Sequence, residues 1–202
     1  IGIPSTTPNI EVSVKGDSSL NKRSMKKLIE LMSEFGAQFL PKRKINFPLK
    51  IISSAMPIRI TYKAGVSAQL KSAVILAGLN TLGVTKIIEK SFSRNHTENI
   101  LFKNNNAIKI KGNRKKIIEV IGGKKLNPLK INVPGDPSSA AFFSALTLMN
   151  NDSKLKIKNV GLNPTRTGFY KLLKKYGAKI NFKNLKKENN EVRWDIYISS
   201  SK

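Results

Sequence analysis

Cysteine is absent from the 202-residue chain, and histidine occurs once, at position 96. Without thiols there is no disulfide framework, no thiolate nucleophile and no zinc site built on sulfur. One imidazole is too few for a histidine-built metal centre. Aromatic residues make up 7% of the chain, so platforms for stacking nucleobases are sparse. Long apolar runs are missing as well: stretches such as 73–77 and 140–143 fall far short of a bilayer span. The opening Ile1-Gly2-Ile3-Pro4-Ser5 lacks the basic-then-apolar order of a secretion signal. The expectation is a cytoplasmic protein with no metal and no membrane partner.

Acidic residues are scarce too, 12 Asp+Glu against 37 Lys+Arg, for a net charge of +25. Such an excess suits a nucleic-acid binder or a protein that handles small anions. The cations are 30 Lys to 7 Arg, however, and they rise together with 20 Asn and 23 Ile. That combination is what an AT-rich coding sequence produces. Arginine, whose planar fork reads phosphate and base edges bidentately, has not risen with them. Most of the charge therefore reads as solvated surface with no specific nucleic-acid partner, and the arginines become the informative residues. With 40% hydrophobic residues the chain has ample material for a core, as one large domain or two small ones.

Three segments share a design. Lys22-Arg23-Ser24-Met25 leads into a helix-like run that stops at Gly36-Ala37-Gln38-Phe39. Ser93-Arg94-Asn95-His96-Thr97 leads into a second that ends at Ala107-Ile108-Lys109-Ile110, and Thr165-Arg166-Thr167-Gly168 into a third that stops at Gly177-Ala178-Lys179-Ile180. Arg23, Arg94 and Arg166 lie 71 and 72 residues apart, and the helix-opening Ser67 and Ser138 also differ by 71. A period this long reads as a duplicated α/β module rather than a solenoid repeat. Met25, Leu28, Ile29, Met32 and Phe35 keep helical spacing before Gly36; Leu70, Ala73, Val74, Ala77 and Gly78 do so on a second helix rich in small residues. Strands are expected at 11–15, 49–53, 84–89, 107–111, 117–121, 129–133, 154–159 and 195–199. Each module is then strand, helix, strand, helix and two more strands. Pro134-Gly135-Asp136-Pro137 is the natural hinge between two domains, and Asn104-Asn105-Asn106 reads as a turn.

Helix starts offer unpaired N–H groups and a partial positive charge, which suits phosphate or carboxylate. Ser67 and Gln69 at one start, with Ser93 and Arg94 at another, would form a small anion site of hydroxyls and guanidinium. The same spacing also fits Ser67, Ser93 and Ser138 as ordinary N-caps and each Arg as a solvated first-turn residue. His96 reads as a helix-surface residue. Neither paired carboxylates at catalytic spacing nor a glycine-rich P-loop is present.

The wording of the motifs adds a resemblance. Gly16-Asp17-Ser18-Ser19-Leu20-Asn21-Lys22-Arg23-Ser24-Met25, Ser67-Ala68-Gln69-Leu70-Lys71-Ser72-Ala73 and Ser93-Arg94-Asn95-His96-Thr97-Glu98 are similar to landmarks of the 5-enolpyruvylshikimate-3-phosphate synthases. So are Val133-Pro134-Gly135-Asp136-Pro137-Ser138-Ser139-Ala140-Ala141-Phe142 and Gly161-Leu162-Asn163-Pro164-Thr165-Arg166-Thr167-Gly168. All five stand in the family's order, and the Ser-Ala-Gln wording resembles its bacterial class II branch.

The resemblance implies an α/β fold of βαβαββ units, arranged in the whole enzyme as a two-domain inside-out α/β barrel of which this chain is an internal fragment. Residues 1–130 would belong to the N-terminal, shikimate-phosphate side and 131–202 would begin the C-terminal domain, with the hinge near 129–136. It implies transfer of the enolpyruvyl group of phosphoenolpyruvate to the 5-hydroxyl of shikimate 3-phosphate, without cofactor, by a monomer. By position, Ser67, the Ala68 backbone and Arg94 would hold the shikimate phosphate, assisted by Ser93. Gln69 would lie against the shikimate ring, and Arg23 would pair with phosphoenolpyruvate. The regions around Asp136 and Arg166 would be structural. The acid–base groups of the family fall outside these 202 residues, so no catalytic residue is expected within them and the fragment alone should not turn over. Two departures stand out: Ser24 occupies a position where the family has proline, and Asn106 one where a helix-ending glycine is usual. The readings weighed against this one are a UDP-N-acetylglucosamine enolpyruvyl transferase and a basic nucleic-acid-binding relative of the same fold.

Overall fold

The computed structural model describes residues 1–113, 115–188 and 190–200, so the last two positions of the expected second domain lie outside the described residues. In chain order the first elements are α1 (Gly2–Thr6), β1 (Glu11–Val14), α2 (Ser18–Asn21), α3 (Lys26–Glu34), β2 (Gln38–Leu40) and β3 (Leu49–Ile52). Next come β4 (Thr61–Ala64), α4 (Ala68–Leu79), β5 (Val84–Glu89), α5 (His96–Leu101), β6 (Ile108–Lys111) and β7 (Lys116–Ile121). The last are α6 (Pro137–Met149), β8 (Lys154–Gly161), a 3-10 turn at Pro164–Arg166, α7 (Gly168–Lys175), β9 (Ile180–Glu188) and β10 (Glu191–Ser199). The class is mixed α/β, with open sheets and no closed barrel among the described residues. No helix there is long and apolar enough to cross a membrane.

The repeat appears in the strand order. The sheets run β1-β3-β2, β4-β5-β7-β6 and β8-β10-β9, so the last three strands of each module pair in the same sequence. All these pairs are antiparallel except β4 with β5, which are parallel. Only residues 61–121 carry the whole βαβαββ pattern. The strand expected at 129–133 does not form. Its counterpart of the β4–β5 pairing is a single parallel bridge between Gly135 and Val160. Pro128 and Pro134 flank the stretch, Pro134 has no N–H for a ladder, and Leu129, Ile131 and Val133 are exposed, so no core holds them in place.

The chain divides into two compact units, one made of residues 1–93 and 101–127, the other of 94–100 and the residues from 128 onward. In the first, α4 is the central helix. Val74, Ile75, Ala77 and Gly78 are buried on it, and α1, α3, β5 and β7 all touch it. The fit to α1 is tight: a Cβ on Gly2 would stand 2.3 Å from the Ala73 carbonyl oxygen. Met32 and Phe35 of the α3 stripe are fully buried, as the helical spacing requires. Gly36, with φ of +98°, ends that helix in the left-handed conformation. At the corresponding point after α5, Asn106 takes φ of +51° without a glycine. At the Ser24 departure, the N-cap residue Met25 makes no side-chain cap, and the entry to α3 is held by the Met25 N–H on the Ile45 carbonyl at 2.6 Å and by the Ser24 hydroxyl, which accepts from the Lys26 N–H at 3.4 Å.

In the second unit, Tyr170 of α7 is the largest fully buried side chain. Its hydroxyl donates to the Pro137 carbonyl at 3.2 Å, and its ring meets Phe169 and Phe182 edge-on. α6 is capped by Asp136, which accepts from the Ser138 and Ser139 N–H groups; Ser138, expected as a cap, is instead inside the helix.

Candidate functional site

The parallel pair decides the geometry. β4 and β5 run side by side, with Ala64 opposite Glu89, so the chain leaves both at the same edge of the sheet. From β4 it continues through Gly65 and Val66 to Ser67, and from β5 to Ser93 and Arg94. Two of the expected ligand segments therefore emerge together, at the carboxyl ends of parallel strands, where open α/β sheets place ligands.

Ser67 is the N-cap of α4, and its hydroxyl oxygen accepts from the Leu70 N–H at 3.3 Å. Ala68 and Gln69 form the first turn, with Gln69 exposed and its Oε1 3.5 Å from the Ser67 Oγ. The capping role and the anion role are compatible, because a cap satisfies one first-turn N–H and leaves others facing outward. Ser93 does not cap a helix. Its N–H and its hydroxyl both donate to Glu89 Oε1, each at 2.8 Å. Arg94, the next residue, is half-buried and groups with the second unit. Arg23 is exposed on the connection between α2 and α3, where its N–H donates to the Leu20 carbonyl at 3.1 Å. No hydrogen bond among the described residues joins Arg23 to the start of α4.

Beneath the Ser67 and Ser93 segments lies a group to which the sequence reading assigned no role. Lys71 Nζ donates to Glu89 Oε1 at 2.9 Å, and the two side chains are 0% and 1% exposed. Lys116 Nζ stands 3.9 Å from the other carboxylate oxygen. Burial pushes the Glu89 pKa up, but the Lys71 ammonium and the two Ser93 donors outweigh it and hold the carboxyl below its ordinary value. The signal was available in the pattern. Thr85, Ile87 and Glu89 occupy the inward positions of β5, and Lys71, Val74, Ile75 and Gly78 share the inward stripe of α4. A lone acid and a lone base at apolar-periodic positions of neighbouring elements predict a buried pair.

The second unit carries its own polar cluster. His96 opens α5, half-buried, and its Nδ1 lies 2.8 Å from Glu191 Oε1; Asn99 and Asn163 also donate to that carboxylate. Arg166 donates to Asp136 at 2.5 Å and to the Ser138 hydroxyl at 2.7 Å, tying the 3-10 turn to the start of α6. Arg193 is buried against Glu188 and Asn159. His96, Asp136, Arg166, Glu188, Glu191 and Arg193 border a cavity of about 270 Å³ whose apolar wall includes Ile100, Ile131, Val133 and Pro134. Each of its arginines already faces a carboxylate, so the cavity offers little net charge to an anion.

Comparisons with known proteins agree on one family. Residues 2–198 match the family model described as EPSP synthase (3-phosphoshikimate 1-carboxyvinyltransferase). The chain is 41% identical over 189 residues to a 3-phosphoshikimate 1-carboxyvinyltransferase of Sulfurihydrogenibium sp. (strain YO3AOP1), covering 93% of the chain and 44% of that protein. It is 40% identical over 206 residues to the protein of the same name from Novosphingobium aromaticivorans, covering 100% of the chain and 46% of that relative. Among solved structures, EPSP synthase from Acinetobacter baumannii superposes with a TM-score of 0.79 at 34% identity, over 99% of the chain and 44% of that protein. The enolpyruvyl transferase NikO from Streptomyces tendae shares the fold, with a TM-score of 0.65 at 12% identity, over 96% of the chain and 44% of NikO. The chain thus spans less than half the length of these relatives.

Proposed function

The chain belongs to the EPSP synthase family, and on that premise we propose that the protein it forms part of transfers the enolpyruvyl group of phosphoenolpyruvate to the 5-hydroxyl of shikimate 3-phosphate and releases inorganic phosphate. The observation that carries this reading is the shared sheet edge at which the Ser67-Ala68-Gln69 and Ser93-Arg94 segments emerge. One segment brings a helix start with a hydroxyl cap, the other a guanidinium, and both are complementary to a phosphate dianion.

On this reading Ser67, the Ala68 N–H and Arg94 hold the phosphate of shikimate 3-phosphate, with Ser93 beside them. Gln69, exposed on the first turn, faces the shikimate ring, and Arg23 pairs with phosphoenolpyruvate. Residues 1–130 belong to the shikimate-phosphate side, and the chain crosses to a second domain near 129–136. The protein works as a cytoplasmic monomer without a cofactor, and nucleic acid is not its ligand.

The test is phosphate release from phosphoenolpyruvate by the complete protein, with and without shikimate 3-phosphate. Release that requires shikimate 3-phosphate is the expected result. A folded protein that releases none, or releases it only with a UDP-sugar acceptor, would sink the reading.

A further inference from the structure

We propose that Lys71 and Glu89 are positioning residues for the shikimate 3-phosphate site: a buried ion pair that locks the Ser93-Arg94 segment to the first turn of α4. The inference rests on the reading above and names how that site is held together.

The connection runs unbroken from one segment to the other. The Ser67 carbonyl accepts the Lys71 N–H at 3.2 Å, one helical turn on. The Lys71 ammonium donates to Glu89 at 2.9 Å. Glu89 in turn accepts both the N–H and the O–H of Ser93 at 2.8 Å. α4 and β5, which pack directly against each other, are thereby tied at the ends where their ligand-bearing segments emerge, and Arg94 follows directly on the tied residue.

Stability alone is a poor reason for such a pair. Replacing a buried ion pair by apolar side chains of similar volume is often neutral or stabilising, because desolvation consumes the Coulomb gain. The pair does confer geometry. The Ser93 hydroxyl gives its proton to Glu89, so towards a ligand it presents lone pairs, and a phosphate oxygen needs a donor. Ser93 therefore serves the site as a clip on the backbone before Arg94, not as a donor to the phosphate. Glu89, neutralised by Lys71, adds no repulsion to a bound dianion.

The experiment is steady-state phosphate release by the complete protein carrying Lys71→Met/Glu89→Leu, which removes the acceptor for Ser93 together with the fully buried ammonium that faces it. We expect a cooperative melt close to that of the unmodified protein. The KM for shikimate 3-phosphate should rise about tenfold or more, while that for phosphoenolpyruvate stays within about twofold. An unchanged KM for shikimate 3-phosphate in a folded double variant overturns the proposal. Should the double variant fail to melt cooperatively, Ser93→Ala decides instead, since it keeps the ion pair and the Ser93 N–H bond. A rise in the same KM below about threefold supports the clip, whereas one above about tenfold makes Ser93 a direct phosphate donor and overturns it. Failure of the family reading is separately visible, as absent shikimate 3-phosphate-dependent turnover in the unmodified protein before any variant is made.

Discussion

Helices α4 and α6 occupy corresponding places in two modules, and both are apolar on nearly every side. Their surroundings differ. α4 is enclosed by α1, α3, β5 and β7, and its long apolar side chains Val74 and Ile75 are fully buried. α6 rests on β8 and β10 and leaves Phe142 79% and Met149 84% exposed, with Phe143 and Leu146 also outward. Hydrophobicity all round is the mark of a buried helix. The difference teaches that the first unit carries the cover for its central helix within the described residues, whereas the second does not. The helix starts differ in parallel: α4 is anchored by a buried Lys71–Glu89 pair, α6 by the exposed Asp136 and the half-buried Arg166.

The sharpest way to break this comparison is to place a charge on each helix. Ile75→Asp, in a fully buried position, should cost about 4 kcal/mol or more. Phe142→Asp should change stability by less than about 0.5 kcal/mol. Equal losses in denaturant titrations would refute the contrast. Next in size is Glu89→Leu alone, which strands the Lys71 ammonium in the interior. A loss of about 3–5 kcal/mol is expected, recovered when Lys71→Met is added. Asp136→Ala removes a cap at the surface and should cost only about 1 kcal/mol.

Both helix starts carry a carboxylate whose charged form the fold favours. Burial raises both carboxyls, and their donors outweigh it: Lys71 and Ser93 for Glu89, Ser138, Ser139 and Arg166 for Asp136. Both folded pKa values therefore lie below the unfolded ones. The stability they contribute is fully present above the unfolded carboxylate range, about pH 4, and is lost as pH falls through the lower folded values. Melting temperatures measured from about pH 6 to pH 3 should fall less steeply in Lys71→Met/Glu89→Leu than in the unmodified protein. An identical acid limb would show that Glu89 does not drive it. The smallest effect is expected at Asn106→Gly, within about 0.5 kcal/mol, because Asn already holds the left-handed conformation there.

Much of this was legible beforehand, and the failures have physical causes. The α3 stripe, the buried face of α4 and the strand at 84–89 follow from periodicity, since a core fills one face of each element. The period of about 71 residues points to a repeated α/β module, and the structure gives the last three strands of each copy one common order. The strand expected at 129–133 does not form, because its β-prone residues have no neighbour to cover them and a proline stands at its edge. β4 was missed because four residues of half-buried alternation give little signal. At the site, the ligand-facing segments stood out as motifs, but Lys71 and Glu89 did not. Reading them required two elements to be set side by side, and pairing of strand residues 25 apart is tertiary information.

The buried ion pair also constrains how this protein can change over generations. Losing one partner first removes the main counter-charge of the other in the interior, so intermediates on the way to an apolar pair are folding-impaired even where the end point is stable. Lineages should therefore keep both residues or have exchanged both, with single losses rare. The lysine at position 71 and the glutamate at position 89 would then be inherited as one character, although they sit on different elements and neither needs to touch a substrate.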